Sequence, residues 1–352
     1  MFFASDNAGP VAPDIMAALN EVNQGYALGY GRDASAERVQ SRLREVFEAP
    51  EATVHLVITG TSANALTLAT LSNPWEAIFC HQIAHVQVSE ANAPEFFSGG
   101  AKMLGVAGPR GMMDPDALTD AIADFESDGV KEVQRGPVSI TQVTDEGAVY
   151  SLDEIRAITK VAKSYGLPCH MDGARFANAL VALGCTPAEM SWKSGIDALS
   201  FGATKNGAMG VEAVIFFDPA HSREFQLRRM RSGHMLSKHR FLAAQMLAYL
   251  KNDLWLQLAR QSNEMAARLE RAIDQLPGGK VLLQRDANMI FAGWTRQGHH
   301  NARKTGAEYY LGHRQSLDGP PDEIVSARLV ANWATTDQDI ADFVTAVKTG
   351  RI

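Results

Sequence analysis

Three positions in the middle of the chain carry residue types that bind anions and attack carbonyl groups. Gly60, Thr61 and Ser62 offer a pliable backbone and two hydroxyl groups at the start of a predicted helix, whose partial positive charge attracts an anion such as phosphate. Asp172 supplies a carboxylate, and Lys205 supplies an amine that can form a Schiff base. These residues could together hold an anion, a cationic nitrogen and a carbonyl carbon.

Each feature also has an ordinary structural interpretation when it is taken alone. G-T-S is a common transition from a strand to a helix, and the G-x-x-x-x-G-K-[ST] pattern of a Walker A loop is missing. Asp172 could pair with Arg175, because a buried carboxylate needs a partner, and Lys205 could be an ordinary surface lysine. The position of each feature relative to the predicted strands is what favours a functional site.

The middle of the chain alternates short apolar runs with helical patterns, which is typical of an α/β fold with a mostly parallel sheet covered on both sides. In such sheets ligands bind at the carboxyl ends of the strands, and Gly60, Asp172 and Lys205 each lie at or just after a strand end. The predicted strands are 53–60, 77–80, 138–143, 167–172, 196–204 and 211–217.

Taken together, the three groups match the phosphate, the ring nitrogen and the aldehyde of pyridoxal 5'-phosphate, whose ring accepts electrons from a carbanion. A flat side chain is still needed against the face of that ring. His85 comes shortly after strand 77–80 and is placed to stack there, although a lone histidine is more often structural. We therefore predict pyridoxal 5'-phosphate as the cofactor.

A second glycine pattern, formed by Gly29, Gly31 and Ala34, matches a dinucleotide-binding fingerprint. That motif must follow a strand and open a helix, whereas here the helical stretch IMAALNEVNQG precedes it. We interpret residues 30–33 as a turn or loop.

The composition indicates a globular chain and argues against several classes of protein. With 352 residues, 46% of them hydrophobic, about two domains are expected. The net charge of −7 argues against nucleic acid as the main partner, and we expect neither a signal peptide nor a membrane span. Cys80, Cys169 and Cys185 form no C-x-x-C pair, so we expect buried thiols in a reducing cytoplasm. The sequence contains no H-E-x-x-H zinc motif, so we expect no metal site.

The periodicity predicts a large domain over residues 1–243 and a smaller α+β domain over residues 244–352. In the first, a helix runs from Ser151 to Tyr165 behind a capping box of Ser151 and Glu154. Residues 221–276 are almost entirely helical, with a short break near Asn252. Two strands, 281–294 and 326–333, and a last helix capped by Thr336 and Asp339 then follow.

Eight segments resemble the low-specificity L-threonine aldolases of the fold-type I pyridoxal-phosphate enzymes, nearest to the bacterial branch that includes phenylserine aldolase-like enzymes. HMDGAR followed by T-K-N-G is the specific match, and the other segments support it in the family's order over nearly the whole chain. The segments are ASDN (4–7), YGRD (30–33), GTSAN (60–64), AHVQVSE (84–90), ITQVTDEGAVY (140–150), HMDGAR (170–175), FGATKNG (201–207) and ARLVANW (327–333).

The resemblance implies three catalytic residues. Lys205 would form the Schiff base with the cofactor. His85 would stack on the cofactor ring and help to deprotonate the β-hydroxyl group of the substrate, directly or through water. Glu90 would support that proton path.

The resemblance also implies which residues bind the cofactor and the substrate. Arg328 would bind the substrate carboxylate, and Tyr30 would reach the site of a neighbouring subunit, which implies a dimer at least and usually a tetramer. A basic run of Arg228, Arg229 and Arg231 either reaches the phosphate across the interface or is a solvated helix face. The implied cofactor-binding residues are Gly60, Thr61, Ser62, His85, Asp172, Arg175, Lys205 and Arg231, and the substrate-binding residues are Ser5, Tyr30, Arg175 and Arg328.

Two positions depart from the family's pattern. Arg32 stands where the family loop usually has the first aspartate of Y-G-D-D. Thr144 and Asp145 follow a strand after which some members have His-Asn, which bears on substrate selection near the hydroxyl group.

The resemblance implies retro-aldol cleavage of L-threonine, L-allo-threonine or an aryl analogue such as phenylserine to glycine and an aldehyde. Two alternatives stay open. The same pocket could perform transamination or β-elimination, because a fold does not determine its reaction. The chain could also be a non-catalytic α/β binding protein in which Lys205 is structural.

Overall fold

The structure is a computed structural model, and it describes residues 1–125 and 129–351. Within these residues the larger sheet has seven strands in the order β1-β7-β6-β5-β4-β2-β3. Neighbouring strands are parallel except at β7, which is antiparallel to β1 and β6, so the predicted mostly parallel sheet is confirmed. The strands are β1 (Thr53–Val57), β2 (Glu76–His81), β3 (Lys102–Val106), β4 (Gln134–Thr141), β5 (Cys169–Gly173), β6 (Ala198–Gly202) and β7 (Glu212–Phe216).

The helices cover the faces of this sheet. A capping box at Ser151 and Glu154 begins the predicted helix at Leu152, and that prediction is confirmed. The helices among the described residues are α1 (Pro13–Val22), α2 (Ala34–Val46), α3 (Gly60–Leu71), α4 (His85–Val88), α5 (Ala93–Ser98), α6 (Pro115–Ala123), α7 (Leu152–Ser164), α8 (Phe176–Leu183), α9 (Pro187–Met190), α10 (Ser222–Arg231), α11 (Arg240–Leu250), α12 (Leu254–Ile273), α13 (Arg296–Lys304) and α14 (Asp337–Thr349).

Six of the seven large-sheet strands were predicted, because their apolar runs are buried on both faces of the sheet. The edge strand β3 was missed, since KMLGV is short and part of it faces solvent. The break at Asn252 (φ 52°) is confirmed. The non-helical residues between α10 and α11 were missed, although Gly233, with a φ of 79°, adopts the left-handed conformation that helps to end α10.

A second, antiparallel sheet has the order β10-β11-β9-β8 and packs against α12, α13 and α14. Its core contains Trp294, Phe343 and Leu269 together with Phe3 from the N-terminal segment. The carbonyl of Phe3 accepts the N–H of Val330 at 2.8 Å, so the first residues of the chain run beside this sheet. Its strands are β8 (Lys280–Val281), β9 (Met289–Thr295), β10 (Tyr310–Leu311) and β11 (Ile324–Val330).

The two hydrophobic cores meet along α12. Trp255 and Leu258, near the start of α12, belong to the core of the large sheet, whereas Met265 and Leu269 belong to the second core. Ala243 lies within α11, which packs on the large core. The division into residues 1–243 and 244–352 stays a prediction, because it depends on whether the two parts fold separately.

All three cysteines carry free thiols. Burial raises the pKa of Cys80 and of Cys169 to about 12, so both thiols stay protonated, and the prediction of buried thiols is confirmed for these two. Cys185 is partly exposed. Every helix in the described part of the chain is too short or too polar to cross a lipid bilayer.

Candidate active site

The candidate site lies at the carboxyl ends of the central strands β4, β5 and β6. Asp172 is the next-to-last residue of β5 and is only 3% exposed, and its Oδ1 accepts the N–H of Ala174 at 3.0 Å. Lys205 lies in the single turn that follows β6. Parallel neighbours end at the same edge of a sheet, which places these two residues at one edge of the large sheet.

Lys205 is held among charged groups without a direct partner. Its amine makes no hydrogen bond or ion pair with any residue that the structure describes. Burial lowers the pKa of Lys205, and Arg175 lowers it further, while Asp172 and Asp6 act in the opposite direction. A lowered pKa increases the fraction of neutral amine, which is the form that attacks a carbonyl carbon.

A buried glutamate holds the backbone just before this lysine. Glu212 lies on β7 opposite Gly202, and its Oε2 accepts the N–H of Ala203 at 2.8 Å. Complete burial raises the pKa of Glu212 to about 7. Glu212 was not predicted as a site residue, although a single acid in the apolar run VEAVIFF needs a buried partner.

The N-terminus of α3 forms an open cradle. Thr59 caps the helix, and its hydroxyl oxygen accepts the N–H of Ser62 at 3.1 Å. The N–H groups of Gly60 and Thr61 belong to the first turn, where a helix offers no partner, and a Cβ at Gly60 would meet no atom within 4 Å. Ser62 donates its hydroxyl to the carbonyl of Thr59 at 2.8 Å. The first turn of α3 can therefore offer two N–H groups to an anion.

A chain of hydrogen bonds connects His85 to Asp172. His85 Nδ1 lies 2.9 Å from Glu90 Oε1, and Asn64 Nδ2 lies 3.0 Å from Glu90 Oε1 and 3.0 Å from Asp172 Oδ2. The side chain of Glu90 is fully buried, whereas that of His85 is 39% exposed. The hydrogen bond to Glu90 raises the pKa of His85, and burial opposes this effect.

Asp145 lies on the other side of His85. Its Oδ2 accepts the backbone N–H of His85 at 3.0 Å. Burial raises the pKa of Asp145, while the nearby charges of His85, Arg175 and Lys205 lower it. The departure from the family's pattern at this position therefore falls within the site.

Two arginines approach the site from the junction of the two sheets. Asp6 Oδ2 accepts from Arg175 Nε at 2.9 Å and from its Nη2 at 2.5 Å, and Asn288 donates to the other oxygen of Asp6. Arg328 Nη2 donates to the carbonyl of Ala4 at 3.2 Å, and its guanidinium lies 5.0 Å from the ring centroid of Tyr310. The N-terminal segment thereby links both guanidinium groups.

Ser5 lies between these two contacts, because it directly follows Ala4 and precedes Asp6. Its hydroxyl accepts the N–H of Asn7 at 3.2 Å. Burial lowers the pKa of Arg328, and the charge of Arg175 adds to this effect. Ser5, Arg175 and Arg328 are therefore brought together at one side of the site.

Two predicted site residues stay apart from the others within one chain. Tyr30 is 48% exposed in the turn that was predicted at residues 30–33, and Arg231 is exposed at the end of α10. Neither side chain makes a hydrogen bond or an ion pair with a residue that the structure describes. In the same basic run, Arg229 is buried and donates to the carbonyl of Leu56, and Arg228 pairs with Glu224.

Three further residues that contact the site were not among the site residues predicted from the sequence. Asn64 lies inside the motif GTSAN, and Asp6 lies inside ASDN. Asp145 comes shortly after the end of β4, just as Asp172 lies at the end of β5. Their place in a motif or at a strand end was the available signal.

The chain is similar to proteins of known family. Residues 3–295 match the family model described as beta-eliminating lyase. A low specificity L-threonine aldolase from Pseudomonas aeruginosa is 37% identical over 88% of each chain, and one from a Pseudomonas species is 34% identical over 98% of this chain and 96% of the relative. The solved structure of a Leishmania major threonine aldolase superposes with a TM-score of 0.90 at 25% identity and covers 98% of each chain.

Proposed function

Because this chain belongs to the beta-eliminating lyase family, together with low-specificity L-threonine aldolases, we propose that it cleaves L-threonine and L-allo-threonine to glycine and acetaldehyde. The chain is a lyase, and both the predicted fold-type I architecture and the family resemblance are confirmed. Other β-hydroxy-α-amino acids, such as phenylserine, are further proposed substrates. The convergence of Lys205, Asp172 and His85 at one sheet edge carries the proposal.

The residues at this edge fit pyridoxal 5'-phosphate. The free N–H groups of Gly60 and Thr61 suit a phosphate, with Ser62 beside them. Asp172 suits a protonated ring nitrogen, and the buried amine of Lys205 suits the aldehyde carbon. When bound, the cofactor supplies an electron sink for the negative charge that develops at Cα of the substrate.

His85 and Glu90 are placed to move the proton of the β-hydroxyl group. Glu90 accepts the Nδ1–H of His85, so in the neutral ring Nε2 carries the free lone pair. Nε2 can then take the hydroxyl proton, directly or through water, as the Cα–Cβ bond breaks and the aldehyde forms. Glu90 stabilises the imidazolium that results.

Arg328 is proposed to bind the substrate carboxylate with its guanidinium group, and Ser5 lies beside it. Arg175 is held in place by Asp6 and adds a second positive charge on the same side. Fixing the carboxylate sets the rotation about the N–Cα bond and so decides which bond at Cα faces the electron sink. A binding mode that aligns the Cα–Cβ bond favours cleavage over transamination.

The pH dependence of the reaction is expected to report on His85. A base must be neutral, and the pKa of His85 is raised above its ordinary value, so kcat/KM should increase with pH through an apparent pKa above about 6.5. Glu90→Gln should move this acid limb to lower pH, because the carboxylate that raises the pKa is removed. His85→Asn should lower kcat/KM by about 10²-fold or more and remove the limb. An unchanged limb in His85→Asn would assign the base to another group.

Replacement of Arg328 is expected to affect binding more than turnover. Arg328→Gln should raise KM by about 10- to 100-fold with a smaller change in kcat, because a charged hydrogen bond to the carboxylate is lost in the ground state and the transition state alike. Steady-state kinetics with L-threonine measure both constants. Arg260→Gln, an exposed position on α12, is the matched control. A normal KM in Arg328→Gln would move the carboxylate site elsewhere.

We further propose a homo-oligomer, a dimer or a tetramer, in which Tyr30 and Arg231 reach a neighbouring subunit's site. The loop between α1 and α2 exposes Tyr26 almost completely and Leu28 to 65%, and exposed apolar groups of this kind mark contact surfaces. Three free thiols support a reducing cytoplasm as the compartment.

Product analysis tests the proposed reaction. With L-threonine we expect equimolar glycine and acetaldehyde, the latter measured with an NADH-coupled alcohol dehydrogenase. A keto acid with ammonia would indicate β-elimination, and a keto acid with an aminated cofactor would indicate transamination. A protein that binds no pyridoxal 5'-phosphate would favour a non-catalytic role.

A further inference from the structure

The carboxylates of Glu90 and Asp172 are joined by the amide of a single residue. Asn64 lies in the second turn of α3, and its Nδ2 is 3.0 Å from Glu90 Oε1 and 3.0 Å from Asp172 Oδ2. All three residues are buried, with exposed fractions of 2, 5 and 3%. Carboxylate oxygens accept hydrogen bonds, so the NH₂ group of Asn64 must face both of them.

We propose that Asn64 is a positioning residue, whose amide ties the carboxylate that holds His85 to the carboxylate at the end of β5 and holds both of them in place. The proposal deepens the proposed function and rests on it, because His85 and Asp172 act on the substrate and the cofactor there. Asn64 itself takes no part in the chemical step.

The carboxylates of Glu90 and Asp172 lie so close together that they need a hydrogen-bond donor between them. Glu90 Oε1 and Asp172 Oδ2 can be no farther apart than the sum of their distances to Asn64 Nδ2. Two buried carboxylates at such a separation repel each other unless a shared hydrogen-bond donor lies between them. The two N–H groups of Asn64 give each carboxylate a hydrogen bond, which offsets this repulsion and holds the two side chains together.

Glu90 depends on few donors. Its Oε1 accepts from Asn64 and His85, and its Oε2 has no hydrogen-bond partner among the described residues. Removal of the amide would therefore leave His85 as the remaining donor to a fully buried charge.

The charges that face His85 determine the direction of the effect. They are the carboxylates of Glu90, Asp172 and Asp145 and the amine of Lys205. Glu90 and Asp172 contact Asn64, whereas Asp145 accepts the backbone N–H of His85. A change at Asn64 therefore acts on His85 through Glu90 and Asp172.

His85 is free to accept a proton only after the His85–Glu90 pair has lost its last proton. Without the amide, the positive ends of its N–H bonds no longer offset the carboxylates that face His85, so the His85–Glu90 pair keeps that proton to higher pH. The pH at which His85 becomes available must rise.

The test uses the full-length, cofactor-loaded protein with Asn64→Leu, which removes the amide and leaves little room for water. The rate at which diethyl pyrocarbonate modifies His85 is measured against pH by peptide mass spectrometry. We expect the midpoint to move upward by about one pH unit, the size of one hydrogen bond to a charged group. The acid limb of kcat/KM should move in the same direction.

Asn64→Asp keeps the shape of the side chain and serves where Asn64→Leu does not fold. It adds a third carboxylate between those of Glu90 and Asp172, so the midpoint of the modification of His85 should again move upward. Thr67→Val is the matched control, because Thr67 lies one turn further along α3, is fully buried, and has a hydroxyl without a partner among the described residues. The midpoint measured for Thr67→Val should equal that of the protein without a substitution.

A midpoint that stays in place or moves downward in both Asn64 variants would overturn the proposal, even where the turnover falls, since a merely structural amide lowers activity without moving a midpoint. The modification rate does not depend on which reaction the protein performs. A shifted midpoint in a protein that releases no glycine and aldehyde would therefore support the role of Asn64 and refute the proposed function.

Discussion

Lys205→Ala is expected to lower kcat with L-threonine by roughly 10³-fold or more. The amine is buried and has a lowered pKa, and it lies one turn after β6 within reach of the charge of Asp172. It is therefore the nucleophile best placed to bond the aldehyde of pyridoxal 5'-phosphate. Borohydride treatment of the unmodified protein should add the mass of the reduced cofactor to the peptide that contains Lys205, and the variant should lack this product.

Lys160→Ala is the control for this experiment, because Lys160 is exposed on α7. It should keep both the turnover and the borohydride product. Recovery of the labelled peptide at another lysine, or normal turnover in Lys205→Ala, would show that the assignment of Lys205 is wrong. The alternative in which Lys205 is only structural predicts a loss of stability without any labelled peptide.

Asp172→Asn is expected to lower kcat by about 10²-fold or more while the protein stays folded. The substitution keeps the shape of the side chain but removes the charge that would hold a protonated ring nitrogen, and the electron sink weakens when that nitrogen is neutral. The loss should appear in kcat, because the charge matters most when electrons move into the ring. Steady-state kinetics and thermal unfolding, measured side by side, separate a chemical defect from a folding defect.

Asp172→Glu keeps the charge and lengthens the side chain, so it distinguishes charge from position. We expect it to recover part of the turnover that Asp172→Asn loses, although the longer arm disturbs the hydrogen bonds to Ala174 and Asn64. Full activity in Asp172→Asn would mean that the cofactor nitrogen needs no anionic partner here, and the role proposed for this carboxylate would fail.

Local patterns predicted the elements that carry the site. The apolar runs before Asp172 and Lys205 match β5 and β6, because strands buried on both faces need continuous apolar residues. The capping boxes at Ser151 and Thr336 are confirmed as well, since a cap depends on residues only three positions apart. The half-exposed edge strand β3 was missed, because its burial depends on what packs against it.

The contacts between site residues could not be predicted in the same way. Asn64 meets Glu90 across 26 positions and Asp172 across 108, and Arg175 meets Asp6 across 169. No spacing rule connects residues so far apart. The order of the strands in the sheet, and the path of the N-terminal segment beside the second sheet, decide these meetings.

The amino-acid sequence alone was enough to predict the fold class, the strand ends at which chemistry is possible, and the residue types available there. It did so because burial and helix capping depend on neighbouring residues. The tertiary fold is needed to bring one amide against two carboxylates and to pair Asp6 with Arg175. It also places Glu212 against the N–H of Ala203, two residues before Lys205. A hydrogen bond forms only when donor and acceptor approach to about 3 Å, and that distance is set by how the whole chain packs.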